Sequence, residues 1–270
     1  MKWPNILALV RHGESEWNLL KKLMEGDIRW REFLYLYDNK FKSPETKKLA
    51  RILLEKYKPV GWKNDFDTPL SPLGVTQAVS VGKHLQTLMP LPDVVIVSPY
   101  LRCRQTYEKA CTGWPELADV KYYIDERIRE REVGMRAQYV HWRIYNVFHP
   151  EQKAYYESFG KIAYYQFRYE QGESVPDVNR RMHDWFDTLI REFSECNVVA
   201  FTHGVGIMSA RTTQERLSAE EFVALDKSNP PKNCSVTIYK GNPKEGVDGR
   251  LILERYNETA KQLEAELDET

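Results

Sequence analysis

The chain has 270 residues, 39 basic and 39 acidic side chains, a formal net charge of zero, 42% apolar residues and 29% charged residues. That length suits one large domain or two small ones with a well-buried core, and the composition excludes disorder. Balanced charge excludes a whole-surface field for nucleic acid or an anionic membrane, so any anion site must be a local cluster. The first element in chain order is the apolar run at residues 6–10, Ile-Leu-Ala-Leu-Val. It is shorter than the roughly 7–15 residues of a signal-peptide core and far short of the roughly 20 of a membrane span. Cys103, Cys111, Cys196 and Cys234 show neither C-x-x-C spacing nor a paired-histidine pattern. A zinc site or disulfide framework is therefore not expected, and a reducing, cytoplasmic setting is.

Similar β-branched runs recur at Val94–Val97 and at residues 198–201. Short apolar runs without polar alternation predict strands buried on both faces of a parallel sheet. Residues 121–124, 236–239 and 251–256 are further strand candidates. Ser71-Pro72 predicts a helix with an N-cap and proline in its first turn, placing Val75, Ala78, Val79, Gly82 and Leu85 on one face. Ser174-Val175-Pro176-Asp177 predicts a capping box, followed at helical spacing by Val178, Met182, Trp185, Phe186, Leu189, Ile190 and Phe193. Strands alternating with such helices predict an α/β fold with helices on both faces of the sheet. Two stretches break the alternation. Residues 19–66 form a long connection with a basic helical piece at 44–58, and residues 139–169 carry eleven aromatics in 31 positions. Residues 260–269 read as a polar terminal helix.

Ligands of open parallel sheets bind beyond the carboxyl ends of the strands, where helix N-termini point their free amides. The first run is followed by Arg11-His12-Gly13-Glu14, the second by Ser98-Pro99-Tyr100-Leu101-Arg102, and the third by Thr202-His203-Gly204. Each alone has a plain structural reading: a hydrogen-bonded histidine, a surface arginine, a glycine in a tight turn. Together they bring two histidines and two arginines to one sheet edge, which suits a phosphoryl group. Guanidinium forks match phosphate oxygens bidentately, and flanking cations keep a neighbouring imidazole neutral and nucleophilic. The arginines supply the charge that a metal provides elsewhere, so neither metal nor cofactor is expected. No G-x-G-x-x-G follows the first strand, which argues against a dinucleotide-binding enzyme.

These residues resemble the histidine phosphatase superfamily, the group that includes the cofactor-dependent phosphoglycerate mutases. The resemblance runs in order through residues 11–18, 68–78, 98–106, 128–134, 172–174 and 202–204. It implies a three-layer α/β/α sandwich with a mostly parallel central sheet, forming a single domain over residues 1–270. Insertions at about 19–66 and 135–170 would then form a helical cap. By the same resemblance His12 becomes the phosphohistidine, and Arg11, Arg102 and His203 bind the phosphoryl oxygens. Asn18 and Gly204 belong to the substrate-binding rim. Glu130 is the proton donor and then the base that activates water, with Glu126 and Glu132 as the other candidates in a charged run. Arg104 faces away on a helix, and Glu173 either orders the pocket or simply precedes a helix cap.

The stretches at residues 19–31 and after Glu130 lack the patterns shared by the mutases, whereas residues 159–174 resemble phosphatase-like members. The expected reaction is therefore phosphomonoester hydrolysis, with mutase-type transfer or a silent phosphate-binding module as alternatives. The aromatic block reads either as a lid beside the phosphate site or as a subdomain packed on itself. Lys161 and Arg168 are candidates for meeting a second acidic group. The expected partner is a small phosphorylated substrate, without nucleic acid or membrane, and a homodimer is left open.

Overall fold

The structure is a computed structural model that describes residues 2–58 and 64–260; the terminal helix expected at 260–269 lies outside the described residues apart from Ala260. Six strands form one sheet in the order β3-β2-β4-β1-β5-β6. They are β1 (Ile6–Arg11), β2 (Val94–Val97), β3 (Tyr122–Ile124), β4 (Asn197–Thr202), β5 (Val236–Asn242) and β6 (Arg250–Glu258). The helices are α1 (Glu16–Gly26), α2 (Ile28–Asn39), α3 (Pro44–Lys56), α4 (Pro72–Leu88), α5 (Leu101–Gly113), α6 (Trp142–Phe148), α7 (Pro150–Ser158), α8 (Ala163–Gln166), α9 (Val175–Glu192), α10 (Gly204–Glu215) and α11 (Ala219–Ser228).

The three wholly apolar runs occupy the centre of the sheet, where both faces are covered. Strands β3, β2, β4 and β1 are parallel, while β5 and β6 return antiparallel. Side chains alternate between two cores, as the pleat requires. Ala8, Val10, Val95, Val97, Val199 and Phe201 pack on α4 and α5. Leu7, Leu9, Val94, Ile96, Val198 and Ala200 pack on α9 and α10. The result is the expected three-layer sandwich. Ser71 caps α4 by accepting from the Gly74 amide at 3.1 Å. One detail of that helix differs from its expected face: Val81 joins the core, whereas Val79 is only half-buried.

The described part of the long connection after β1 is mostly helical between Glu16 and Lys56. It begins earlier than the 19–66 stretch, because Ser15 and Asn18 form a capping box: Asn18 N–H donates to Ser15 Oγ at 3.3 Å and Ser15 N–H to Asn18 Oδ1 at 3.1 Å. Met24, Trp30, Phe33, Tyr37 and Leu53 of α1–α3 share one apolar cluster with Val140, Ile144 and Val147. Two segments far apart in sequence thus complete each other's core. The aromatic block divides its labour: Tyr145 and Phe167 are buried in packing, whereas Trp142, Tyr156, Tyr164 and Tyr169 face a cavity. Helix α11, which had no counterpart among the sequence expectations, seats Phe222 and Val223 against Val175 and Met208. Among the described residues no helix is long and apolar enough to cross a membrane.

Candidate active site

Strands β1, β4 and β2 end level with one another, Arg11 opposite Thr202 and Val97 opposite Phe201. His12, Ser98 and His203, which follow those ends, therefore meet. The loop after β1 crosses the start of α4 very closely. A Cβ on Gly13 would lie 2.5 Å from the Gly74 carbonyl oxygen, and one on Gly74 2.0 Å from that of Glu14, so neither position has room for a side chain. Glu14 fastens the crossing by accepting from Ser71 Oγ at 2.8 Å and donating its N–H to Gln77 Oε1 at 2.8 Å.

His12 is buried. Its Nδ1–H donates to the Gly13 carbonyl oxygen at 2.7 Å, which settles the tautomer and leaves a lone pair on Nε2. Arg102 Nε stands 3.3 Å from that nitrogen. Burial first, then Arg102 and Arg11, hold the His12 pKa well below the usual histidine range, so the ring is neutral at neutral pH. His203, fully buried, meets His12 edge to face with ring centroids 5.1 Å apart. Its Nε2 lies 2.8 Å from Ser98 Oγ, and burial and Arg102 also hold it neutral.

The two arginines are held differently. Arg102 donates from Nη1 to the Asp65 carbonyl oxygen at 2.7 Å and to Asp65 Oδ1 at 3.1 Å, and from Nη2 to Oδ2 at 3.2 Å. Arg11 donates from Nη1 to the Pro231 carbonyl oxygen. Among the described residues its buried Nε has no hydrogen-bond partner. Gly204 opens α10 beside this Nε, where a Cβ would come within 3.6 Å. A buried cationic donor without an acceptor, next to a helix N-terminus and an imidazole lone pair, fits an oxyanion.

A cavity of about 510 Å³ covers this group. Arg11, His12, Asn18, Arg102 and Glu130 line it, while His203 and Gly204 lie behind the wall. The Asn18 oxygen is engaged by Ser15, which leaves its Nδ2 for the cavity. Of the three glutamates in the charged run only Glu130 lines the cavity. Glu126 is exposed, and Glu132 Oε1 accepts from the Tyr100 hydroxyl at 3.0 Å. Arg104 is exposed and absent from the wall. Lys161 and Arg168 do not reach the cavity either, and Arg168 is paired with Asp177.

Several residues at the site were not anticipated. Arg181 positions the Glu130 loop, donating to the carbonyl oxygens of Arg127 (2.6 Å), Arg129 (2.8 Å) and Glu130 (3.0 Å). Glu173 braces the same loop through Arg129, Arg181 and the Glu132 amide, so it orders the pocket and does more than precede a cap. The signal for Arg181 was its place among Val178, Met182 and Trp185, a cation inside an apolar stripe. Asp65, Lys21, Arg136 and Asp226 also line the cavity. They come from segments that only folding brings together. The one cluster of metal-ligating residue types among the described residues, His183, Asp184 and Asp187, is exposed on α9 and separate from the cavity.

The family model "Histidine phosphatase superfamily (branch 1)" matches residues 57–266. Over 113 residues, 42% of this chain and 39% of the relative, the chain is 34% identical to a mitochondrial serine/threonine-protein phosphatase of Xenopus tropicalis, so it spans well under half of that protein. A 2,3-bisphosphoglycerate-dependent phosphoglycerate mutase of Chelativorans sp. (strain BNC1) is 24% identical over 92% of this chain and 98% of its own. In structure the chain is similar to a mycobacterial glucosyl-3-phosphoglycerate phosphatase, with a TM-score of 0.63 at 20% identity over 94% of this chain and 100% of that one. The extent of the family match, together with a sheet edge built from two arginines and two histidines, establishes that the chain belongs to branch 1 of the histidine phosphatase superfamily.

Proposed function

We propose that the protein is a phosphomonoester hydrolase working through a phosphohistidine at His12. The observation that carries this reading is the His12 tautomer: with Nδ1–H given to the Gly13 carbonyl, the Nε2 lone pair borders the cavity between two guanidiniums. In the first step Nε2 attacks phosphorus and the ester P–O bond breaks. Glu130 gives its proton to the departing oxygen. In the second step water attacks phosphorus, its proton passes to Glu130, and the P–N bond breaks to release inorganic phosphate and restore the neutral ring. Arg11, Arg102 and Asn18 hold the phosphoryl oxygens from the cavity wall, the N-terminus of α10 at Gly204 adds its field beside Arg11, and His203 backs the His12 ring edge to face. The arginines supply the charge needed in the transition state.

The single domain carries a cap made of α1–α3 and α6–α8, which closes the cavity over the phosphate end. Lys21 and Arg136 on that side support a small substrate with a second acidic group. Arg136 Nε is buried with no hydrogen-bond partner among the described residues, which favours the same reading. The four cysteines are free thiols, in keeping with a reducing, cytoplasmic setting. The test is hydrolysis of 4-nitrophenyl phosphate in excess EDTA by wild type and His12→Ala, with acid-labile phosphoenzyme trapped in parallel. Activity and phosphoenzyme that both vanish in the variant are the expected result, and an unchanged rate would sink the assignment. Because a mutase also matches along the whole chain, 3-phosphoglycerate with its bisphosphate cofactor is the control that separates transfer from hydrolysis.

A further inference from the structure

Asp226 stands on α11 in the wall of the catalytic cavity, which Glu130, Tyr156 and Tyr164 also line. Its carboxylate is half-buried and makes no hydrogen bond or ion pair among the described residues. Among the described residues none of the cations in electrostatic range, Arg11, Arg131 and Lys21, pairs with it, and Lys21 lies 3.9 Å from Glu25. Arg131 donates to the carbonyl oxygens of Glu173, Tyr164 and Phe167, and Arg11 donates to that of Pro231. Neither tyrosine hydroxyl reaches Asp226. Burial and the nearby Glu130 raise its pKa, with Arg11, Arg131 and Lys21 opposing. A carboxylate sheltered from water but lacking a donor is a costly arrangement unless something else supplies the donor. Here the open side of the group is the cavity itself.

We propose that Asp226 is a specificity residue that accepts a hydrogen bond from a hydroxyl or ammonium group on the alcohol part of the substrate. The proposal rests on reading the cavity as a phosphatase site. Glu130 serves the ester oxygen at the reacting bond. Asp226 approaches the same space from a different element, so the group it recognises lies further along the leaving alcohol. The substrate class is then a phosphomonoester carrying an amino or hydroxyl group close to its ester oxygen. A site built to bond such a donor discriminates strongly against analogues that lack it, because the acceptor is then left unpaired.

The test compares kcat/KM for three esters that differ at one position: ethyl phosphate, 2-hydroxyethyl phosphate and 2-aminoethyl phosphate. With wild type, the hydroxyl or the ammonium ester, or both, should exceed ethyl phosphate by tenfold or more. Asp226→Ala should reduce that ratio to within threefold of unity. Asp226→Asn, which keeps an acceptor but no charge, should retain part of a hydroxyl preference and lose an ammonium preference, which separates the two donors. A wild-type ratio near unity, or a ratio that survives Asp226→Ala, would overturn the proposal. So would an equal loss on all three esters, since Asp226 would then act only through the field around Glu130. If wild type hydrolyses none of these esters nor 4-nitrophenyl phosphate, the phosphatase reading fails instead. The same ratios, measured as binding affinities by calorimetry, then decide the role of Asp226 separately.

Discussion

The catalytic end of the sheet and the helices that face it are built on opposite plans. At the sheet edge the polar groups are committed, His12 to the Gly13 carbonyl, Arg102 to Asp65, and the Glu130 loop to Arg181 and Glu173, with Arg11 Nε the exception that faces the phosphoryl position. Across the cavity, Trp142 and Tyr156 stack with centroids 6.4 Å apart, and among the described residues Arg136 Nε is buried without a partner and Lys21 pairs only with Glu25, at 3.9 Å. The reacting atoms sit on strand ends held by backbone hydrogen bonds, which suits chemistry that tolerates little displacement. The far wall is made of helices outside the sheet, so a changed side chain there leaves the strand ends in place, which suits selection among substrates.

This contrast is open to direct attack. The largest effect is expected from His12→Ala, a loss on the order of 10⁴–10⁶-fold in kcat because the variant removes the proposed nucleophile. Glu130→Gln should cost roughly 10²–10⁴-fold. With 4-nitrophenyl phosphate, whose leaving group departs without protonation, rapid quench should reveal accumulated phosphoenzyme. Equal slowing of both steps would remove Glu130 from its place as acid and base. In the helical wall, Phe33→Ala empties a fully buried site in the cluster that joins α2 to α6, and should lower stability by about 3–5 kcal/mol in urea unfolding. KM should rise more than kcat falls, and the reverse would show that the wall also sets the catalytic geometry.

Acidification tests both regions at once. His12 and His203 at the sheet edge are neutral when folded, as is His141 in the helical wall, whose pKa burial and Lys21 push down to about 2. In the unfolded chain they titrate near pH 6.5, so below that pH the unfolded state binds more protons and stability falls. Each group contributes up to about 1.4 kcal/mol per pH unit between pH 6.5 and 5. His141→Asn, which keeps an acceptor for the Arg143 amide, should flatten the slope of unfolding free energy against pH by one group's share. An unaltered slope would mean that His141 is not kept neutral. The smallest effect is expected from Arg136→Ala or Lys21→Ala. Each should raise KM about three- to tenfold for esters with a second acidic group and much less for 4-nitrophenyl phosphate.

The sheet was legible because its signals are local. Val94–Val97 is apolar at every position, and only a strand covered on both faces satisfies such a run. The Ser71-Pro72 and Ser174–Asp177 starts were legible for the same reason, since capping involves residues three apart. The candidates Arg11, His12, Arg102 and His203 followed from what succeeds three such runs. Helix α11 was missed: Ser218 and Glu221 form its capping box, but its short apolar set of Phe222 and Val223 shows little periodicity. Asp226 was hidden with it.

The sequence alone therefore determined which residues end the buried strands, and with them the cation-rich edge proposed to bind the phosphoryl group. Only the tertiary structure decided the rest. It placed Glu130 alone of three neighbouring glutamates in the cavity wall, replaced Lys161 and Arg168 by Lys21 and Arg136 there, and brought Asp226 into the same cavity as Glu130. The physical reason is the range of the interactions. Strand burial and helix capping act over a few residues and leave a periodic mark. The pocket wall is assembled from side chains more than a hundred residues apart, whose meeting depends on how helices pack.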